Sequence, residues 1–158
     1  MPLPDLTIDT NVLLHSCNSI EPRCAHSVAL LTNLLKGSAS LAIDPGFSVV
    51  SAQNRSLIGG EYLEKLVPGS LPNAVIAHLA SSGRIMECTT TVASQLSKKL
   101  NQLIANRRDR TFVRVCTNSA GKTLVSHDFE DFTLPKRKAI GKLFGITIVE
   151  AEGCAGKI

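Results

Sequence analysis

Leu6-Thr7-Ile8-Asp9-Thr10-Asn11-Val12-Leu13-Leu14 places a single carboxylate between two apolar runs. The stretch from Leu3 to Ile8 reads as a short strand. A helix from about Asn11 turns Val12, Leu13 and Leu14 inward, so Asp9 falls at the strand's carboxyl end. The same grammar returns late in the chain, where Asp128 follows Thr123-Leu124-Val125-Ser126. In an open parallel α/β sheet, ligands bind outside the carboxyl ends of the strands. Carboxylates gathered there repel one another unless a hard cation neutralises them, and oxygen-rich sites suit Mg²⁺ or Mn²⁺. Glu61 and Asp109, each in a helix-like segment, are the further candidates.

The intervening sequence alternates helix and strand patterns. Pro22 suits the first position of a helix in which Ala25, Val28, Leu31 and Leu35 recur at helical spacing up to Gly37. Leu41-Ala42-Ile43 is a second strand, ended by Asp44-Pro45-Gly46. Phe47 to Leu57 predicts a short strand and a polar loop. Gly59-Gly60 leads into a helix over 61–66, and Pro72 to Ala80 forms another. Arg84 to Cys88 is a short strand, and Thr91 is a cap for a helix running through Leu96, Leu100, Leu103 and Ile104. Asp109 begins or caps the next helix. Lys122 to Ser126 is a strand, Pro135 opens a helix with Ile140, Leu143 and Phe144, and Ile146 to Val149 closes the series. Residues 1–152 are expected to form one domain and 153–158 a C-terminal tail. This order predicts a three-layer α/β/α fold around a central parallel sheet.

Composition agrees with that reading. Hydrophobic residues make up 44%, yet there is no Trp, one Tyr and five Phe, so the core must be aliphatic. No apolar run approaches the roughly 18 residues of a membrane span. The start of the chain has neither a basic segment nor an apolar signal core, which predicts a cytoplasmic protein. Five cysteines, an odd number without a C-x-x-C pair, argue against a disulfide framework or a zinc ribbon. The net charge of +4 is mild, but its placement is uneven. Lys98, Lys99, Arg107, Arg108, Arg110 and Arg114 form one basic stretch, and Lys136, Arg137, Lys138 and Lys142 another. Both stand close in sequence to Asp109 or Asp128. A positive rim around an acidic centre suits a metal-dependent nuclease, although solvated helix faces would carry the same lysines.

Four short motifs carry a resemblance. Asp9-Thr10-Asn11-Val12-Leu13-Leu14 is similar to the opening signature of PIN-domain ribonucleases. Glu61-Tyr62-x-x-x-Leu66 resembles their Glu-containing helix, and Asp109-x-x-Phe112-Val113-x-Val115-Cys116 their third acidic position. Ser126-His127-Asp128-Phe129-x-Asp131-Phe132 resembles the fourth, where Ser or Thr precedes the Asp by two. Gly145-Ile146-Thr147-Ile148 looks like the closing strand, and Asp44 matches an acidic turn of one subgroup. The likeness runs from about residue 5 to 150.

It implies an endoribonuclease that hydrolyses RNA phosphodiester bonds with metal-activated water. Asp9, Glu61, Asp109 and Asp128 would be catalytic and metal-binding, and Asp131 a further metal ligand. Thr10, Asn11 and Ser126 would orient the carboxylates. Arg107, Arg108, Arg110, Lys136, Arg137 and Lys138 would hold RNA. The family's setting includes toxin–antitoxin pairs in which a small antitoxin blocks the site; a homodimer is left open.

Each of these residues has a plainer role open to it. Asp9 or Asp109 could cap a helix, Asp128 could serve a turn, and Glu61 could be a surface residue. His127 should face away from the site by strand alternation. Gly121-Lys122-Thr123 imitates the end of a phosphate loop, but Cys116 stands where the first glycine belongs and a strand follows the lysine, so it is not read as nucleotide binding. Two rival functions are a degenerate PIN-fold module that binds RNA or protein without turnover, and a phosphoesterase for a small substrate. The intact Asp set disfavours the first, since a scaffold has no need of buried like charges.

Overall fold

The first strand, β1 (Asp5–Ile8), is buried at all four positions, as a central strand covered on both faces must be. The structure, a computed structural model, describes residues 1–158. In chain order β1 is followed by α1 (Thr10–His15), α2 (Cys24–Lys36), β2 (Ser40–Ile43), α3 (Leu57–Lys65), α4 (Leu71–Ser81) and β3 (Ile85–Glu87). Then come α5 (Ser94–Leu103), α6 (Arg107–Asn118), β4 (Thr123–Val125), α7 (Leu134–Phe144), β5 (Thr147–Val149) and α8 (Ala151–Cys154). All strand pairings are parallel, in the order β3-β2-β1-β4-β5, and helices flank the sheet in a three-layer α/β/α arrangement.

The chain leaves β1 in one direction to build β2 and β3, then returns to the other side of β1 to add β4 and β5. The order therefore reverses between β1 and β4. At such a switch point, connections to neighbouring strands diverge and leave a crevice at the carboxyl ends. Register fixes what lines it: Ile8 pairs with Val125, and the Asp9 amide donates to the Val125 carbonyl at 2.9 Å. Asp9 and Ser126 thus emerge side by side.

The core is aliphatic, as the composition requires. Leu6, Ile8, Leu41, Ile43, Leu124 and Val125 of the strands are at most 1% exposed. Helix α6 lies across β1, β2 and β4 and adds Phe112, Val113, Val115 and Cys116. No helix is long and apolar enough to cross a membrane. All five cysteines are free.

Several local expectations are corrected. Helix α2 starts at Cys24, beyond Pro22, with Arg23 as its cap residue. Residues 47–56 hold no strand but a 3₁₀ turn, Ser51–Gln53, and a loop in which Asn54 bonds to Ser48 and Ser56. Gly59 and Gly60 lie inside α3, because Ser56 already caps that helix through the Gly59 amide. Gly59 is small for a packing reason: a Cβ there would collide with Phe47 and Asn54. Thr91 caps nothing, since α5 begins at Ser94.

The expected tail is structured. Gly153 and Cys154 complete α8, and Ala155–Lys157 form a 3₁₀ turn. Cys154 is fully buried, Asn33 donates to the Ala155 carbonyl at 2.7 Å, and the Leu3 amide donates to Lys157 at 2.7 Å. Ala151, Cys154, Ala155 and Ile158 give this segment an apolar face at helical spacing, which outweighs its two glycines. The phosphate-loop mimic is a packing turn. A Cβ on Gly121 would overlap the Asp5 carbonyl, and Asp5 Oδ1 and Oδ2 receive the Gly121 and Ala120 amides.

Candidate metal centre

Asp9 occupies the cap position of α1 with extended backbone, yet its side chain makes no capping bond. Its Oδ2 instead receives the Ser126 hydroxyl at 2.7 Å and the Asn11 amide at 3.2 Å, and neither bond engages Oδ1. Capping and ligation compete for one carboxylate, and here the capping role is unused. Ser126 does double duty: its oxygen also accepts the Asp128 amide at 3.1 Å. Asn11 closes the frame by accepting the His127 amide at 3.0 Å. The two residues that follow β1 and β4 in the strand-end pattern are thus tied together by short polar side chains, the kind of support that aims ligands.

Asp128 turns its own loop, with Oδ1 accepting the amides of Glu130 and Asp131 at 2.8 and 3.0 Å, which leaves Oδ2 outside that turn. Asp109 neither begins nor caps α6. Asn106 does so, accepting the Arg108 amide at 2.9 Å, and this frees the buried Asp109 carboxylate one turn in. One carboxylate oxygen from each of Asp9, Asp109 and Asp128 falls within 4.8 Å of the others.

Glu61 and Asp131 stand outside that tight trio but line the same pocket, a cleft of about 190 Å³ shared with Thr10, Asn11, Asn106 and Lys65. Glu61 Oε1 pairs with Lys65 at 2.9 Å, while Glu61 Oε2 is buried without any partner, as is Thr10 Oγ1. Two devices hold the helix that presents Glu61. The Tyr62 hydroxyl donates to the Ile8 carbonyl, and Asp44 receives the Ser56 hydroxyl and the Leu57 and Ile58 amides. Asp44 therefore seats the start of α3 and takes no part in the acidic pocket.

The electrostatics follow from this crowding. Burial raises the Asp9 carboxyl from 3.8 to about 6, partly offset by the Ser126 hydrogen bond and reinforced by Asp128 and Glu61. Burial, then a side-chain hydrogen bond with Asp131, then the charge of Asp9 hold Asp109 well above the usual carboxylate range. Five carboxylates face a single lysine. An all-oxygen donor set, an orphaned buried oxygen on Glu61 and carboxyls that resist ionising together fit a hard divalent cation.

His127 faces away, as strand alternation predicts. Its Nε2 accepts the Ala151 amide at 3.1 Å, and its ring stacks on His15 with the two Nδ1 atoms 2.8 Å apart. Burial, then His15, hold its pKa down at about 4.

The basic residues do not act as one rim. Arg108 pairs with Glu64 at 3.7 Å, and Lys136 and Lys138 line neither the acidic pocket nor the cleft beside it. Arg137, expected to hold RNA, is 8% exposed. Its Nε donates to the Phe132 carbonyl at 2.8 Å, its Nη2 to Ser126 and Asp128 at 3.1 and 2.9 Å, and it stacks on Phe129 at 4.3 Å. Its guanidinium is spent inside the protein. Arg137→Gln should lower stability by about 2–3 kcal/mol, because buried carbonyls lose their donors. Lys136→Gln and Lys138→Gln should stay within about 0.5 kcal/mol of the parent. Urea midpoints of the three variants check this.

Sequence reasoning missed Lys65 and Asn106. The first carried a signal in its four-residue spacing from Glu61, the second in its cap-forming side chain just before a helix. No family model matches the chain, and comparison with curated proteins and with solved structures finds no match.

Proposed function

We propose that the chain is a metal-dependent endoribonuclease of the PIN type. The observation that carries this reading is the convergence of Asp9, Asp109 and Asp128 at the switch point between β1 and β4, with the unpartnered oxygen of Glu61 in the same cleft. Asp9, Asp109 and Asp128 would hold Mg²⁺ or Mn²⁺, with Glu61 and Asp131 able to share a second ion. When bound, the cation lowers the pKa of a water molecule and neutralises charge on the scissile phosphate.

The chain's own residues supply the frame. Ser126 and Asn11 hold Asp9 and the Asp128 loop in fixed relation. Asn106 keeps Asp109 free of capping duty. Lys65 offsets one charge on Glu61. The two neutral histidines and the buried cysteines lie outside the cleft, in keeping with hydrolysis by water rather than by a side-chain nucleophile.

The test is incubation of the protein with mixed single-stranded and structured RNA in Mn²⁺, Mg²⁺ or EDTA. Internal cuts that need the metal and vanish in EDTA are expected. Intact RNA in every arm, with RNA still bound, would favour the non-cleaving module.

A further inference from the structure

Helix α6 serves two clefts. Its first turn gives Asn106 and Asp109 to the acidic pocket, while Arg107, Arg110, Thr111 and Arg114 line a neighbouring cleft of about 280 Å³. Those four positions recur at intervals of three, one and three, which sets them along one stripe of the helix. The only apolar residue on the wall is Leu57, so the cleft is not made for an oily ligand.

Its charge is unbalanced. No carboxylate lies within ion-pair distance of Arg107, Arg110 or Arg114, whereas neighbouring Arg108 has Glu64. The one acid on the wall is Asp44, and both its oxygens are taken by Ser56 and by the Leu57 and Ile58 amides. Arg110 is braced by the carbonyls of Ile104 and Ala105 at 3.2 Å, and Arg114 Nη2 by Ser97 at 2.8 Å. Arg114 Nε is buried with no partner. A buried donor left unpaired is destabilising unless something supplies an acceptor. Planar guanidinium groups braced in a cleft match the oxygens of a phosphate, to which they donate in pairs.

We propose that this cleft is a phosphate-binding subsite, and that it takes a second phosphate of the same strand whose scissile phosphate lies at the acidic pocket. The identity of the strand rests on the nuclease reading; the affinity for phosphate does not. The phosphate could be a terminal monoester or a backbone diester, and the chemistry that Arg107, Arg110 and Arg114 recognise is common to both.

The experiment is done in EDTA, so that no turnover is needed. Inorganic phosphate is titrated into isotope-labelled protein while the arginine Nε–H resonances are followed. Single-stranded RNA oligonucleotides with either terminal phosphate or with hydroxyl ends are then titrated at several salt concentrations. Arg107 is exposed and its side chain makes no hydrogen bond, so Arg107→Gln should fold and melt as the parent does.

Phosphate should shift the Arg114 Nε–H. Arg107→Gln should weaken oligonucleotide binding about tenfold, as expected for loss of one charged hydrogen bond. Arg107→Gln with Arg110→Gln should reduce the salt slope by about 0.7, the value for one phosphate of a single strand, and Lys138→Gln should leave both unchanged. Tighter binding of one phosphorylated end assigns the cleft to a terminal phosphate, and equal binding of all ends assigns it to the backbone.

An unmoved Arg114 resonance with unchanged affinity in the variants would overturn the subsite, even in a protein that cleaves RNA. So would a poly-glutamate peptide that binds through the same arginines while phosphate does not. Phosphate binding in a protein that never cleaves would keep the subsite and remove the nuclease reading.

Discussion

Asp9→Asn and Asp128→Asn, each assayed in Mn²⁺, should cleave RNA at least about a hundredfold more slowly than the parent, the scale seen when one preorganised electrostatic group is lost. Both proteins should remain folded. An asparagine at position 9 can still accept the Ser126 hydroxyl, and one at position 128 can still accept the Glu130 and Asp131 amides. What each variant lacks is the negative charge that a hard cation requires. Asp9 is buried and its ionisation is disfavoured, so the neutral replacement should leave the metal-free fold at least as stable as before. Rate constants at saturating RNA, with melting curves beside them, separate lost chemistry from lost structure. A variant that cuts at the parental rate would remove that residue from the ligand set.

Metal and pH should act on stability together, and the sign can be worked out. A carboxyl whose folded-state pKa lies above its unfolded value binds extra protons in the native state, so stability falls as pH rises between the two. For Asp9 that window runs from 3.8 to about 6, a loss of about 3 kcal/mol at about 1.36 kcal/mol per pH unit. The raised Asp109 carries the fall to higher pH. The depressed His127 works the other way between about 4 and 6.5, but it is common to the parent and to Asp9→Asn. The fall in metal-free melting temperature from pH 5 to pH 8 should therefore be larger in the parent than in Asp9→Asn.

A cation that binds only the folded, ionised cluster reverses this. At a hundred times its dissociation constant it adds about 2.7 kcal/mol, or about 5–10 °C in a chain of this size. The gain should be present at pH 8 and largely gone at pH 5, where protons compete for the same oxygens. Calorimetry in EDTA and in Mn²⁺ at the two pH values measures it. Coincident melts at pH 8 would count against a preformed site.

The strands were legible because Leu41 to Ile43 and Leu124 to Val125 are uninterrupted apolar runs, and burial on both faces leaves no polar alternation to obscure them. The carboxylates after them were legible because topology sends every parallel strand's carboxyl end to the same edge. Side-chain commitments were harder to read. Lys136-Arg137-Lys138 looks like a solvated run, yet Arg137 precedes Ile140 by three residues and Phe144 by seven, on the face that α7 buries. Gly59-Gly60 looks like a helix boundary, but its meaning depends on Phe47 and Asn54, which only the folded loop brings near. Asp44 and Asp109 are both acids near a helix start. Which one caps and which stays free was decided by Ser56 and Asn106, residues with no chemistry of their own to draw the eye.

Arg137 has a thermodynamic consequence beyond its own contacts. By gripping the carbonyls of Ser126, Asp128 and Phe132 and lying on Phe129, it fixes the backbone of the segment that presents Asp128. Immobilising a residue's backbone costs about 1–2 kcal/mol of conformational entropy. For this segment that loss is incurred when the protein folds, not when an ion or a nucleic acid arrives. A ligand thus meets a loop already in place, and its affinity is set by charge and fit rather than reduced by the ordering of a flexible partner.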